Sequence, residues 1–286
     1  MQTRTRGSLL FLVAALIGAC AAPPPPTAAP PAASSRDEAT AAAIERSLAG
    51  GHRSDENRAR DAHRHPVETL LFFGIKPDMT VVEVWPDAGG WYTEVLAPLL
   101  ADRGKLYAAQ PAAAPDNAYI TNNLKSFADK LATRPAVYGK VEVTTFGPGS
   151  EAIAPAGTAD LVVTFRNLHN WMSAGLAPEA FAAMYRALKP GGILGVVDHR
   201  ADPAKPTDPR ATNGYVNEQY AIDLITAAGF ELVARSEVNA NPGDTKDYPQ
   251  GVWTLPPNYR LGNRDRAKYE SIGESDRFTL KFRKRQ

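Results

Sequence analysis

The chain has 286 residues, of which 44% are hydrophobic, and its 32 basic and 31 acidic side chains give a formal net charge of +1 at pH 7. This hydrophobic fraction can supply the core of a folded globular protein and argues against a mainly disordered chain. The balanced charge gives no basis for a nucleic-acid partner, which a strongly basic surface would indicate.

The first 20 residues have the character of an export signal. Arg4 and Arg6 precede an apolar stretch, residues 9–17, that is too short to span a bilayer as a stable anchor. Cys20, the only cysteine in the chain, directly follows two small residues, and this arrangement resembles a bacterial lipoprotein signal. The resemblance implies that Cys20 is lipidated and holds the protein on the periplasmic face of the outer membrane. The alternative is an ordinary secretory signal and a soluble periplasmic protein.

Residues 21–35 form a Pro/Ala-rich stretch, and we predict that residues 36–286 fold as a single domain. Runs of proline favour extended polyproline II and cannot pack, so residues 21–35 are expected to be a disordered, semi-rigid tether. Capping residues and a Gly-Gly stop predict helices at the start of the domain, within residues 36–74. These helices are residues 37–48, a short segment after Ser54, and residues 67–73 with Pro66 in the first turn.

From residue 75 to the C-terminus, short apolar runs alternate with segments of helical periodicity. The predicted strands are residues 80–84, 104–109, 140–145, 159–165, 193–198, 230–237 and 277–283. The predicted helices between them are residues 91–100, 118–131, 178–188 and 217–228. Strands interleaved with helices predict an α/β fold, a doubly wound and mainly parallel sheet covered on both faces.

A glycine-bearing turn joins the first strand to its helix. The strand is the buried run Val81-Val82-Glu83-Val84, and the turn contains Gly89 and Gly90. In a doubly wound domain the ligand site lies where such a turn meets the helix N-terminus, because backbone N–H groups point outward there.

Five features in order resemble the class I S-adenosylmethionine-dependent methyltransferases. They are the VVEV strand with its glycine turn, GKLYAAQ, the strand that begins at Asp160, LKPGG, and AGFEL. More narrowly, GWYTEVLAP, TFRNLHNW, VVDHRA and DRFTLKFRK resemble a group of bacterial predicted methyltransferases that are often secreted. The resemblance implies a Rossmann-like sheet of seven strands with the last antiparallel, S-adenosylmethionine as cofactor and a small-molecule substrate. The cofactor-binding residues that it implies are Glu83, Trp85, Gly89, Gly90, Tyr92, Gln110 and Asn167.

Two departures from the family pattern concern the cofactor. Trp85 and Asp87 stand where the first two glycines of the turn are usual, and Gln110 stands where an acidic residue usually accepts both ribose hydroxyls. Replacing a charge-assisted hydrogen bond with a neutral one loses about 1–1.5 kcal/mol, or roughly tenfold in affinity. These departures and the export signal support an alternative function, a methyltransferase-like fold that has lost the cofactor and serves as a periplasmic ligand-binding or interaction lipoprotein.

Polar residues follow the fourth and fifth strands, at the sheet edge where ligands bind. His169 or His199 is expected to act as general base, since imidazole titrates near neutral pH. Arg166 and Arg200 either hold an anionic substrate or pair with Asp198 and Glu83 as structural struts. His169, Asp198 and His199 have the ligand types of a two-histidine, one-carboxylate metal site. Adjacent side chains on an extended segment point to opposite sides, so no metal is predicted.

Residues 239–261 interrupt the run between the last two strands and are rich in Pro, Asp and Asn. A loop of this length inside a domain is usually functional or disordered. We therefore predict that residues 239–261 form a lid or a substrate-contacting flap.

Overall fold

A computed structural model describes Met1, residues 35–147 and residues 152–286. The predicted signal peptide, Cys20 and the predicted tether up to residue 34 lie outside the described residues. Among the helices that the structure describes, none combines the length and the apolar character needed to cross a bilayer. Ser34–Gln286 forms one unit by its internal contacts.

The described helices and strands alternate along the chain as the sequence predicts. The helices are α1 (Ser35–Ala49), α2 (Asp55–Ala59), α3 (Asp61–Arg64), α4 (Pro66–Phe73), α5 (Thr93–Leu100), α6 (Ala118–Thr133), α7 (Pro135–Tyr138), α8 (Leu168–Ala174), α9 (Ala177–Ala187), α10 (Glu218–Ala227) and α11 (Arg266–Ile272). The strands are β1 (Thr80–Val84), β2 (Lys105–Pro111), β3 (Val141–Phe146), β4 (Ala159–Phe165), β5 (Leu188–His199), β6 (Phe230–Ser236) and β7 (Arg277–Lys284).

The strands form one seven-stranded sheet in the order β3-β2-β1-β4-β5-β7-β6. Neighbouring strands from β3 to β5 pair in parallel, whereas β7 pairs antiparallel with both β5 and β6. This confirms the predicted doubly wound, mainly parallel sheet with an antiparallel last strand and helices at its N-terminal end. The order reverses between β1 and β4, and a doubly wound sheet binds its ligand at the carboxyl ends of such a strand pair.

Both faces of the sheet are covered. Val81 on β1 belongs to a core that includes side chains of α1, α4 and α5, whereas Val82 belongs to a second core that includes side chains of α8, α9 and α10. Successive side chains of a strand point to opposite faces, which is why a continuous run of valines feeds two cores.

The structure differs from the sequence prediction around LKPGG, residues 188–192. The sequence predicts a helix through residue 188, a turn, and a strand that begins at residue 193, but α9 ends at Ala187 and β5 already begins at Leu188. Leu188 pairs with Ala159 across a bulge in the β4–β5 ladder. A Cβ on Gly192 would lie 2.9 Å from the Lys189 carbonyl oxygen, so this close approach requires glycine. The motif therefore lies within an irregular strand.

Helices α3, α7, α8 and α11 were not predicted. The most consequential is α8, because the sequence predicts a loop from Arg166 to Trp171, whereas residues 168–174 are helical. The short helix places His169 and Trp171 among buried residues at the carboxyl edge of the sheet.

Candidate functional site

The two strands at the switch point end in the same unusual way. Trp85, directly after β1, has φ 54°, and Arg166, directly after β4, has φ 61°. The Trp85 N–H donates to the Ala109 carbonyl oxygen and the Arg166 N–H to that of Val197, each at 2.7 Å, so each residue adds one bond to the ladder before the chain turns away. A left-handed non-glycine residue costs about 1–2 kcal/mol, and such strain concentrates at functional sites.

Asn167 fixes these two turns relative to each other. Its side-chain amide donates to the carbonyl oxygens of Val84 (3.0 Å) and Trp85 (3.2 Å) and to the Thr164 hydroxyl (3.1 Å). The predicted cofactor residue Asn167 therefore uses its N–H groups to hold the end of β1, although it also lines the neighbouring cavity.

The two glycines of the turn have different roles. Gly90 has φ 49°, and a Cβ there would lie 2.9 Å from the Phe127 ring, so packing and backbone conformation both require glycine. Gly89 has no such constraint: its φ is outside the left-handed region, and a Cβ would meet no atom within 4 Å. The open face of Gly89 is where another molecule can approach the backbone.

Glu83 is a buried carboxyl group at the end of β1. It accepts a hydrogen bond of 2.6 Å from the Thr93 hydroxyl. Burial raises the pKa of Glu83 from its usual 4.5 to about 7, although the Thr93 hydrogen bond and the Lys130 and Arg64 charges oppose that shift. Near neutral pH the group is therefore able to donate as well as to accept.

Gln110 and Tyr92, the other predicted cofactor residues, are also buried. The Gln110 Nε2 atom has no hydrogen-bond partner among the residues that the structure describes. The Tyr92 ring stacks on Phe165 at 3.4 Å between centroids and 8° between planes. Burial raises the pKa of Tyr92 to about 12, so its hydroxyl stays protonated.

Asp198 and His169 form a hydrogen-bonded pair at the end of β5. His169 Nδ1 lies 2.9 Å from Asp198 Oδ1, and the His169 backbone N–H donates to Oδ2 at 3.1 Å. Asp198 is 0% exposed. Burial alone would raise the pKa of Asp198, but the neighbouring His169 and His199 hold it below its usual value. The ionised carboxylate accepts from Nδ1–H, which leaves Nε2 as the basic atom of His169.

His199 lies beside this pair, with the two imidazole centroids 5.2 Å apart. Its Nδ1 is 2.5 Å from the Ser275 hydroxyl oxygen. Burial lowers the pKa of His199 well below 6.5, even though the Asp198 charge opposes that shift. His199 is therefore neutral at physiological pH.

The three residues considered as metal ligands come closer together than the sequence predicts. One ligand atom each from His169, Asp198 and His199 lies within 4.8 Å of the others, although strand alternation would separate adjacent side chains. The Asp198 carboxylate also accepts a hydrogen bond of 2.7 Å from the His199 backbone N–H. This bond turns the Asp198 side chain toward His199. Its oxygens thus already accept from one ring and two backbone groups.

A cavity of about 150 Å³ opens at this edge, and His169, His199 and Arg166 line it. A smaller cavity of about 50 Å³ lies under Gly89 and Glu83. The two share four lining residues: Trp85, Asp87, Phe165 and Arg166. Trp85 is half-buried, and its ring stacks on Trp171 at 6.3 Å with 22° between planes.

Part of the predicted lid forms a wall of the larger cavity. Val252, Trp253, Pro256 and Asn258 line it, and the Trp253 ring lies edge-on to His169 at 6.1 Å. The Val252 N–H donates to the Asn213 carbonyl oxygen at 2.9 Å, which holds this wall against the domain.

Arg166 and Arg200, the two arginines predicted to hold an anion or to act as struts, differ in their ion pairs. Arg200 pairs with Glu218 at 3.1 Å and Glu237 at 2.7 Å, so it is a strut with partners other than those expected. Arg166 pairs with neither Glu83 nor Asp198, and within the described residues its side chain makes no ion pair or hydrogen bond.

Sequence reasoning missed a charged cluster around Glu274. The Glu274 carboxylate forms ion pairs with Arg60 (2.6 Å), Arg64 (3.4 Å) and Arg277 (3.0 Å). One feature of the sequence could have located Glu274. An antiparallel last strand begins at the edge of the sheet where the parallel strands end, and Glu274 comes just before that strand. Residues that immediately precede β7 are thus brought to the ligand edge.

No family model matches this sequence, and no curated protein matches it either. Solved structures do match it. A SAM-dependent methyltransferase from Aquifex aeolicus is 18% identical, with 85% of this chain and 97% of that chain covered and a TM-score of 0.50. The cyclase SpnF is 17% identical over 86% and 93% of the two chains (TM-score 0.53).

A third match is a geranyl diphosphate methyltransferase in complex with GPP and sinefungin. It is 13% identical, with 77% of this chain and 76% of that chain covered and a TM-score of 0.50. At such identities the likeness concerns the fold alone, and the presence of a cyclase shows that the fold serves more than one reaction. The chain thus has the fold of the class I S-adenosylmethionine-dependent methyltransferases, as its sequence motifs predict.

Proposed function

We propose that the protein is an S-adenosylmethionine-dependent methyltransferase that acts on a small molecule, with His169 as general base. The observation that carries the proposal is the Asp198–His169 pair, in which buried Asp198 holds His169 and His169 lines a cavity at the switch point of a methyltransferase fold, next to the glycine turn. The neighbouring structures named as SAM-dependent or geranyl diphosphate methyltransferases support it.

The residues at the end of β1 and β2 fit the cofactor. The open face of Gly89 admits a ligand to the backbone. Gln110 lines neither cavity, but its buried Nε2 has no partner among the described residues and is a donor of the kind that a ribose oxygen needs. Glu83 and Tyr92 line the small cavity under the turn. When bound, S-adenosylmethionine would supply the methyl group.

On the acceptor side, Asp198 fixes His169 through Nδ1, and Nε2 remains available to take a proton from an O–H, N–H or S–H group. General-base catalysis of this kind contributes about 10²–10⁴-fold. Alignment of the nucleophile by the cavity walls contributes more, since well-oriented groups gain about 7–11 kcal/mol.

Calorimetric titration with S-adenosylhomocysteine tests the cofactor site. We expect the purified protein to bind it, and Gly89→Val to weaken binding at least about tenfold by filling the open face. Gly51→Val is the matched control, because a Cβ at Gly51 also meets no atom within 4 Å but lies between α1 and α2. Absence of heat and of any thermal shift at about millimolar ligand would exclude the methyltransferase function.

One observation favours a second candidate, a periplasmic ligand-binding lipoprotein that no longer uses the cofactor. The cavities of about 150 and 50 Å³ are small beside the roughly 300–1,000 Å³ of drug-sized ligand pockets, and Trp85 lines both. The predicted export and lipidation at Cys20 agree with this candidate. Native mass spectrometry of protein isolated from the periplasm distinguishes the two, because a retained small molecule other than the cofactor would support the second.

A further inference from the structure

Arg166 stands out as a cation that forms no ion pair with any residue that the structure describes. Within the described residues its side chain makes no ion pair or hydrogen bond, and its Nε atom is buried without a partner. It lines both the 150 Å³ and the 50 Å³ cavities. Its left-handed backbone conformation is held by a bond to β5 and by the Asn167 contacts next to it.

The neighbouring charges do not neutralise it. Arg60, Arg64 and Arg277 all converge on Glu274, so with Arg166 four guanidinium groups surround one carboxylate. Three more nitrogen atoms of this cluster are buried and unpartnered among the described residues: Arg60 Nη2, Arg64 Nη2 and Arg277 Nε. Arg64 and Arg277 are each only 3% exposed.

Three other carboxylates lie nearby, and none forms an ion pair with Arg166. Asp87, which lines both cavities, accepts from the Ala88 backbone N–H at 2.8 Å. Asp198 accepts hydrogen bonds from His169 and His199, and Glu83 accepts one from Thr93. Burial, together with the Arg166 charge, lowers the pKa of Arg64 well below its usual value, as expected where positive charge is in excess. Buried charge without compensation is costly, so an anion from outside the chain would be bound favourably here.

We propose that Arg166 binds an oxyanion, a carboxylate or a phosphate, carried by the small acceptor molecule whose nucleophilic group faces His169. The acceptor's role rests on the proposed methyltransferase function, whereas binding of the anion does not. Arg166 and His169 line the same cavity of about 150 Å³, which limits the acceptor to a compact molecule with both groups. Small hydroxy, amino or thiol acids and their phosphorylated relatives have this chemistry.

Titration with simple probes at fixed ionic strength tests the site. Lactate supplies a carboxylate beside a hydroxyl, inorganic phosphate supplies the alternative oxyanion, and lactamide is the uncharged match of lactate. We expect lactate or phosphate to bind and lactamide not to bind. Arg166→Gln should weaken binding at least about tenfold, the loss of one charge-assisted contact, and Arg166→Lys should recover part of it.

Arg200→Gln is the control, because it removes the same charge at the end of the neighbouring strand, where Arg200 pairs with Glu218 and Glu237. An equal loss in Arg200→Gln would show a general charge effect and overturn the proposal. Unchanged binding in a folded Arg166→Gln protein, or no binding of either anion to wild type at about 10 mM, would also overturn it.

A last comparison shows whether the anion that binds Arg166 belongs to the acceptor or to the cofactor. S-adenosylhomocysteine has a carboxylate and methylthioadenosine has none. If Arg166→Gln weakens only S-adenosylhomocysteine and leaves lactate and phosphate binding intact, Arg166 serves the cofactor and the proposal is wrong. Arg166-dependent anion binding in a protein that does not bind S-adenosylhomocysteine would support the anion site and contradict the methyltransferase function.

Discussion

Glu83 is a carboxyl group in a strand that otherwise contains Thr80 and three valines, and its environment does not favour ionisation. Val82 and Val84 beside it are at most 1% exposed, and the hydrogen bond from Thr93 meets only one of its oxygens. A residue kept at such cost within a core strand is typical of functional sites, where stability is traded for activity. Its place at the edge of the small cavity under Gly89 agrees with a role in ligand binding.

Replacing Glu83 with glutamine should stabilise the protein in a pH-dependent way. Burial raises the pKa of Glu83 from 4.5 to about 7. The protonated group therefore contributes its full share to the free energy of unfolding below about pH 4.5, and this contribution is lost as the pH rises through 7. Glutamine keeps the shape and the Thr93 contact without the charge. We expect Glu83→Gln to raise the free energy of unfolding by about 3 kcal/mol at pH 8 and by little at pH 4.5. Urea unfolding at the two pH values measures it, and an equal change at both would contradict the assignment.

At the residue scale, the sequence predicted the groups that directly follow parallel strands. Asp198 lies at the end of β5 and His169 in the helix after β4, and the rule that ligands bind at that edge was enough to place both there. Their hydrogen bond was not predicted. The partners of Glu274 were beyond sequence reasoning. Arg60 lies 214 positions from Glu274, and the contacts of residues 60–64 with the start of β7 bring them together.

At the element scale, sequence patterns predicted every strand and the longer helices, but the short helices α3, α7, α8 and α11 were not predicted. Helix α8 has only 7 residues, and its polar members His169 and Asn170 obscure the apolar pattern. LKPGG was interpreted as a turn because Pro and Gly usually end elements. In the sheet, tertiary pairing of Leu188 with Ala159 extends β5 through it.

Gly195 tests how tightly α4 packs on β5. A Cβ at Gly195 would lie 2.7 Å from ring atoms of Phe73, which is itself only 1% exposed. Gly195→Ala must therefore displace the ring or the helix, and we expect a loss of about 1–3 kcal/mol in the free energy of unfolding. Gly51→Ala, where a Cβ meets nothing within 4 Å, should change stability by less than about 1 kcal/mol. Urea denaturation of both variants measures the difference. Equal stabilities would show that Phe73 or α4 moves away from β5 at little cost in free energy.

At the scale of the whole molecule, topology assembles the site from distant parts of the chain. β7 runs antiparallel to β5, so the residues before it, Glu274 and Ser275, arrive at the carboxyl edge beside His199. The family resemblance predicted the strand direction, but not which side chains would face the cavity.

The same edge sets how the stability of the molecule depends on pH. Between about pH 4.5 and 7 the native protein holds a proton on Glu83 that the unfolded chain has released. Burial lowers the pKa of His199 well below 6.5, so below pH 6.5 the unfolded chain binds a proton there that the native protein does not. The two effects have opposite signs and offset each other between about pH 4.5 and 6.5.

Wild-type stability should therefore be nearly constant from about pH 5 to 6.5. Burial alone would raise the pKa of Glu274, but Arg64, Arg277 and Arg60 hold it well below 4.5, so its contribution is lost on further acidification. In Glu83→Gln the His199 effect is no longer offset by Glu83, and stability should fall by up to about 1.4 kcal/mol per pH unit on going from pH 6.5 to 5, less any opposing contribution of Asp244, whose pKa burial raises. Urea unfolding across this range measures the slope, and adding His199→Asn should remove it. A flat profile in Glu83→Gln, or a slope that survives the second substitution, would assign the pH dependence to other groups.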